Sequence, residues 1–163
     1  MASTRTLLNK IAVGLDRCEV ELGRGMQYCE RISLWNTEQQ LEHATQVLAR
    51  VLTKLTNETT EPFESPLKPI AKLMLFLGHI PRGRAQAPDY VRPHKRPPGE
   101  ILELIESTKQ LLTEIQVGKR QLTSAGFHHG LLGYFNQKQW LRFLIVHTDH
   151  HLRIVRDIRK RRA

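Results

Sequence analysis

At 163 residues, with 40% hydrophobic and 6% aromatic side chains and a formal net charge of +9, the chain has the size of one domain and can bury a real core. The scarcity of aromatics and the lack of any sustained strand-like alternation fit an all-α fold built on Leu, Ile and Val better than a β-sandwich. Two cysteines are too few for a disulfide framework, and no apolar run reaches the roughly 18 residues of a membrane span, so a cytoplasmic protein with no signal peptide and no membrane partner is expected.

In the first helix, expected from Thr6 to Met26 or Cys29, residues Leu8, Ile11, Leu15, Cys18, Leu22, Met26 and Cys29 recur at heptad-like spacing. Gly14, Gly23 and Gly25 weaken it, and its last turn is expected to fray or bend. On one continuous helix Cys18 and Cys29 would lie about 16 Å apart along the axis, too far to pair. Ser33 to Trp35 form a connection, and Asn36 with Gln39 makes a capping box that opens a second helix, Thr37 to about Leu55. Its seam is Leu41, Ala44, Leu48, Val51 and Leu55. His43 lies beside that seam and by itself reads as an ordinary, partly buried histidine, with Gln39 one turn earlier on the same side.

All eight prolines fall between Asn57 and Pro98, where no long helix can survive. A short helix from Leu67 to about Leu77 is expected, followed by the basic, irregular stretch IPRGRAQAPDYVRPHKRPP. Residues 61–98 therefore read as a proline-rich crossover within one 1–163 domain, with lid, partner surface and structured connection as its candidate roles. His79 and His94 read as non-ligands because the crossover gives them no fixed spacing to a second ligand. A further amphipathic helix spans Gly99 to about Val117, with Ile101, Leu104, Ile105, Leu111, Leu112 and Ile115 apolar, and a loop from Gln121 to Phe135 follows. Asn136 with Gln139 forms a second capping box before the last helix, Gln137 to Arg159. Four long helices, the middle pair joined by a long crossover, describe a four-helix bundle.

The last helix carries chemistry in its apolar seam. Trp140, Leu144, His147, His151, Ile154 and Ile158 follow at steps of four and three, so two histidines sit where leucines are usual. An i,i+4 histidine pair can reach one metal ion if a facing helix brings a third ligand; the other reading is two core histidines satisfied by hydrogen bonds. His150 reads as a flanking residue, and Asp149 as an ion-pair partner of Arg153. The sequence offers no Gly-rich phosphate loop, no Cys-x-x-Cys, no Ser–His–Asp pattern and no internal repeat.

Three blocks in order, WNTEQQLEHATQ, IPRGRAQAP and HHGLLGYFNQKQWLRFLIVHTDHHLRIV, resemble the DinB/YfiT-like metalloprotein superfamily, in a branch known only as a domain of unknown function. The resemblance runs from about Trp35 onward. It implies a four-helix bundle in which His43, His147 and His151 jointly bind a divalent metal; beside these, Gln39 and His150 from their helical positions and His129 from the loop before the last helix are candidates to line the site. The loop before the last helix departs from the family's His-Pro-x-x-Gly by reading His129-Gly130-Leu131-Leu132-Gly133. Zinc or nickel suits three imidazoles best, with iron, cobalt or manganese as alternatives. Relatives in the superfamily include thiol-dependent transferases and isomerases and proposed hydrolases, which implies a metal-dependent enzyme with a small-molecule substrate, a low-molecular-weight thiol as co-substrate, and a homodimer. Two other classes compete. One is a basic module binding nucleic acid or another anion through Arg82, Arg84, Arg92, Lys95, Arg96 and the 159–163 tail; the other is a degenerate bundle that binds metal without turnover.

Overall fold

The computed structural model describes residues 2–57, 66–83 and 87–161. These residues form five α-helices and one small antiparallel hairpin. In chain order they are α1 (Thr4–Leu22), α2 (Thr37–Thr56), α3 (Pro69–Leu77), α4 (Pro98–Gln116), β1 (Phe127–His129), β2 (Gly133–Phe135) and α5 (Gln137–Lys160), with a 3-10 turn at Asp89–Val91 in the crossover. Among the described residues no helix is long and apolar enough to cross a membrane.

Each helix starts and stops where its sequence provides the chemistry. Ser3 caps α1 by accepting from the amide of Thr6, and both expected capping boxes form, Asn36 with Gln39 and Asn136 with Gln139. Proline at the first turn opens α3 and α4, where its missing N–H costs nothing. The first helix ends at Leu22, earlier than the apolar spacing suggests, because Gly23 caps it and Gly25 takes a positive φ of 76°. Met26 and Cys29 therefore lie beyond α1, and both cysteines are free.

The long helices α1, α2, α4 and α5 pack side by side, so that α1 and α2 each lie against both α4 and α5. Leu8, Ile11, Leu15, Leu41, Leu48, Leu52, Ile101, Ile105, Leu112, Leu141, Leu144 and Val155 meet in one core. Fully burying a side chain of this size contributes about 1.5–3 kcal/mol. Gly14 lets α1 approach α5 closely, since a Cβ there would press on the Thr148 methyl at 3.3 Å. Ion pairs join the outside: Lys109 on α4 reaches Asp16 and Glu19 on α1, and Arg17 on α1 reaches Asp149 on α5 at 2.9 Å. The expected Asp149–Arg153 pair is replaced, because Arg153 instead donates to the Gly78 carbonyl at the end of α3.

The hairpin is a departure from the expected loop. Its strands are three residues each, too short to show alternation in sequence. Phe127 pairs with Phe135, and Trp140 Nε1 donates to the Phe127 carbonyl at 3.1 Å, which seats the hairpin on the first turn of α5. Gly133 is required in the turn, with φ at 88° and no room for a Cβ against the Pro66 carbonyl.

Candidate metal centre

Three imidazoles from two helices meet in the interior. His43 projects from the second turn of α2, and His147 and His151 project from successive turns of α5, which packs against α2. One ring nitrogen from each lies within 4.8 Å of the other two. His147 and His151 face each other through Nε2 atoms 3.3 Å apart. Two nitrogen ligands at about 2.0–2.1 Å from one tetrahedral zinc stand roughly 3.3 Å apart, so this pair is already at ligand spacing.

Two of the rings have their proton fixed by an acceptor. The Nδ1 of His43 lies 2.7 Å from the Val91 carbonyl; a carbonyl only accepts, so Nδ1 carries the hydrogen and Nε2 keeps its lone pair. His151 Nδ1 donates to Gln40 Oε1 at 2.6 Å, again leaving Nε2 toward the cluster. Gln40 is held in turn, since its Nε2 donates to Ser33 Oγ, which also accepts from the Trp35 amide. The third ring, His147, has a buried Nδ1 with no hydrogen-bond partner. Histidines that ligate a metal through one nitrogen are ordinarily fixed through the other, and here that arrangement holds for His43 and His151.

Burial keeps the rings neutral. It is the largest cause in each case, pulling His43 below its ordinary value and His147 and His151 well below theirs; the neighbouring histidines push His147 and His151 further in the same direction. Around His43 the hydrogen bond to Val91 and the charge of Glu42 oppose the shift. Neutral imidazole is the form that binds a metal, so the donor set fits a divalent ion without proton release from the ligands at neutral pH. Aromatic rings wall the cluster: Trp35 lies 5.1 Å from the His43 ring and Phe143 lies 5.4 Å from that of His147.

The flanking candidates take other roles. Gln39 completes the capping box, its Oε1 accepting from the Asn36 amide, so the glutamine that reaches the site is Gln40, on the next position of the same turn. His129 sits in the hairpin, stacked on Trp140 at 5.7 Å and accepting from the Leu131 amide, with its pKa pulled down by burial to about 4. His150 has its ring 5.1 Å from that of His151 but bonds to the Ile80 backbone; burial, then the Arg82 charge, take its pKa to about 4. His79 and His94 lie in the crossover, outside the cluster.

Sequence reasoning missed Trp35, Gln40 and Glu42. A signal for Gln40 was available: the capping box already used Gln39, and Gln40 stands three residues before His43 on the same helical face. Nothing in the sequence marks the crossover contacts of Glu42 or the Val91 carbonyl, which depend on how an irregular segment folds back.

The fold and the site together define a mostly helical protein in which three histidines, two buried and one half-buried, lie close enough together to hold a metal ion. No family model matches this chain, nor does any curated protein or solved structure.

Proposed function

We propose that this chain is a divalent-metal-binding four-helix bundle of the DinB/YfiT-like type, with His43, His147 and His151 as ligands and a metal-dependent transferase or hydrolase reaction at the open coordination positions. The observation that carries the reading is the meeting of three histidines from two helices, His43 standing more than 100 residues before the other two in sequence, with His43 and His151 fixed by acceptors on their far nitrogens. A core that needed only cohesion would use leucine there, because burying an imidazole sacrifices its hydration.

Zinc or nickel suits this donor set, and iron, cobalt or manganese are the alternatives. Such an ion, when bound, supplies Lewis acidity and a lowered pKa for a bound water or thiol. The chain's own residues exclude water with Trp35 and Phe143 and orient two ligands through Val91 and Gln40. Among the described residues no carboxylate joins the cluster, and Glu42 is engaged elsewhere. A reaction whose nucleophile arrives with a co-substrate, such as a low-molecular-weight thiol, therefore fits this site better than one needing a protein carboxylate as base.

The nucleic-acid reading has less support. Arg82 pairs with Asp157, Arg92 with Asp89, Arg96 with Glu42 and Arg159 with Glu21, so these guanidiniums are engaged within the chain. Arg84 and Arg162 lie outside the described residues.

Elemental analysis after metal-replete expression tests the proposal. It predicts about one divalent ion per chain in the wild type, and a His151→Ala variant that is helical but metal-free. A wild-type protein that carries no metal would remove it.

A further inference from the structure

Glu42 is a carboxylate with 0% exposure, one residue before His43 on α2. Its Oε1 accepts from the His94 amide at 2.9 Å and from Gln46 Nε2 at 3.0 Å. Its Oε2 accepts from the Arg96 amide at 3.5 Å, and the Arg96 guanidinium stands 3.5 Å from Oε1. A buried carboxylate is retained only where donors surround it, and three of these four come from one short stretch of the crossover.

The stretch is unusual in itself. Lys95, between the two amides, is the one non-glycine residue with positive φ among the described residues, at 56°. Side-chain-bearing residues seldom enter this region, and a left-handed residue between two amides is a common way to aim both at one anion. Three residues before His94, the Val91 carbonyl accepts the His43 Nδ1 hydrogen. Adjacent residues of α2 thus grip the crossover at two points: Glu42 at 94–96 and His43 at 91.

We infer that Glu42 is a positioning residue for the histidine centre. By anchoring residues 94–96 it fixes the Val91 carbonyl, which fixes the proton of His43 on Nδ1 and directs the Nε2 lone pair toward His147 and His151. Its consequence for metal affinity rests on the metal-binding reading, but its effect on the His43 ring belongs to the metal-free protein. A carboxylate that only closed a loop would alter stability and leave that ring unchanged.

Two readouts on the full chain test this in the wild type, Glu42→Gln and Glu42→Asp. The first is ring nitrogen NMR of His43 without metal; the second is cobalt(II) titration followed by visible absorption. Glu42→Gln replaces one acceptor with a donor facing other donors. It is expected to give a mixture of His43 tautomers, an altered cobalt band and a cobalt affinity about 10–100-fold weaker. Glu42→Asp keeps both acceptors on a shorter arm and is expected to fall between the other two proteins; it decides alone if Glu42→Gln does not fold. A wild-type ring spectrum in a folded variant overturns the inference, whatever its melting temperature. A wild type that takes up no cobalt, while Glu42→Gln still shifts the His43 tautomer, overturns the metal reading and leaves the positioning of His43 standing.

Discussion

The α1–α4 side of the molecule and the α2–α5 side are built on different principles. The buried side chains of α1 and α4 are apolar, among them Leu8, Ile11, Leu15, Cys18, Ile101, Ile105 and Leu112, with Thr108 as the one exception. Every other buried polar side chain among the described residues lies on α2 or α5: Thr37, Gln40, Glu42, His43, Thr45, Gln46, Thr148 and His151. An unpaired polar group in such a place costs about 1–3 kcal/mol, so a chain that could have used leucine throughout has kept its buried polarity almost wholly on two helices. The difference separates a half that holds the fold from a half organised around a site.

Single substitutions on the two sides should therefore fail in different ways. The largest effect is expected from His151→Ala, which should weaken zinc binding by more than about 100-fold, beyond what loss of a supporting contact produces. On the other side Leu15→Ala, at a fully buried position, should lower the free energy of unfolding by about 3 kcal/mol and leave zinc affinity unchanged. Calorimetric titration and chemical denaturation of both variants measure the contrast; equal zinc loss in the two would erase it.

Gln40→Leu comes next. It removes the acceptor of the His151 Nδ1 hydrogen without opening a cavity, and should reduce zinc affinity about 10–100-fold. Stability should fall by only about 1–3 kcal/mol, the cost of one unsatisfied buried donor.

Acid should also act on the polar side. His43, His129, His147, His150 and His151 all have folded-state values below the ordinary 6.5, so the folded chain favours their neutral forms. The unfolded chain takes up protons first as pH falls. Metal-free protein should thus hold full stability above pH 6.5 and lose it progressively toward the value of about 4 at which His129 and His150 titrate in the fold. Denaturation midpoints across that window, with and without saturating zinc, provide the check: zinc should protect at neutral pH, and its protection should fade as protons compete for the ligands. Buried Cys18, pushed up to about 12 by desolvation, adds nothing in this range.

The smallest effect is expected at the start of α5. Asn136→Ala removes the side chain that accepts from the Gln139 amide and should cost about 1 kcal/mol, with little change in zinc affinity because His147 and His151 lie about three and four turns further on.

How much of this could be read from the residues follows the same division. Helices α2 and α5 announce themselves through capping boxes and seams, and the His147–His151 spacing needs only helical periodicity to be seen. His43 is different, since nothing local distinguishes it from an ordinary half-buried histidine, and its place opposite the pair follows from how α2 packs on α5. The end of α1 and the hairpin were hidden because Gly23 and Gly25 override an apolar spacing that continues past them, and because three-residue strands carry no period. Least legible was the crossover, whose grip on Glu42 and His43 runs through the backbone of Val91, His94 and Arg96, where side-chain identity says little.

Anomalous scattering at the metal edge, from crystals of metal-replete protein, tests the central claim most directly. One strong peak is expected, bounded by the Nε2 atoms of His43, His147 and His151. Metal-replete crystals with no peak there, or with a peak held by other residues, would contradict it.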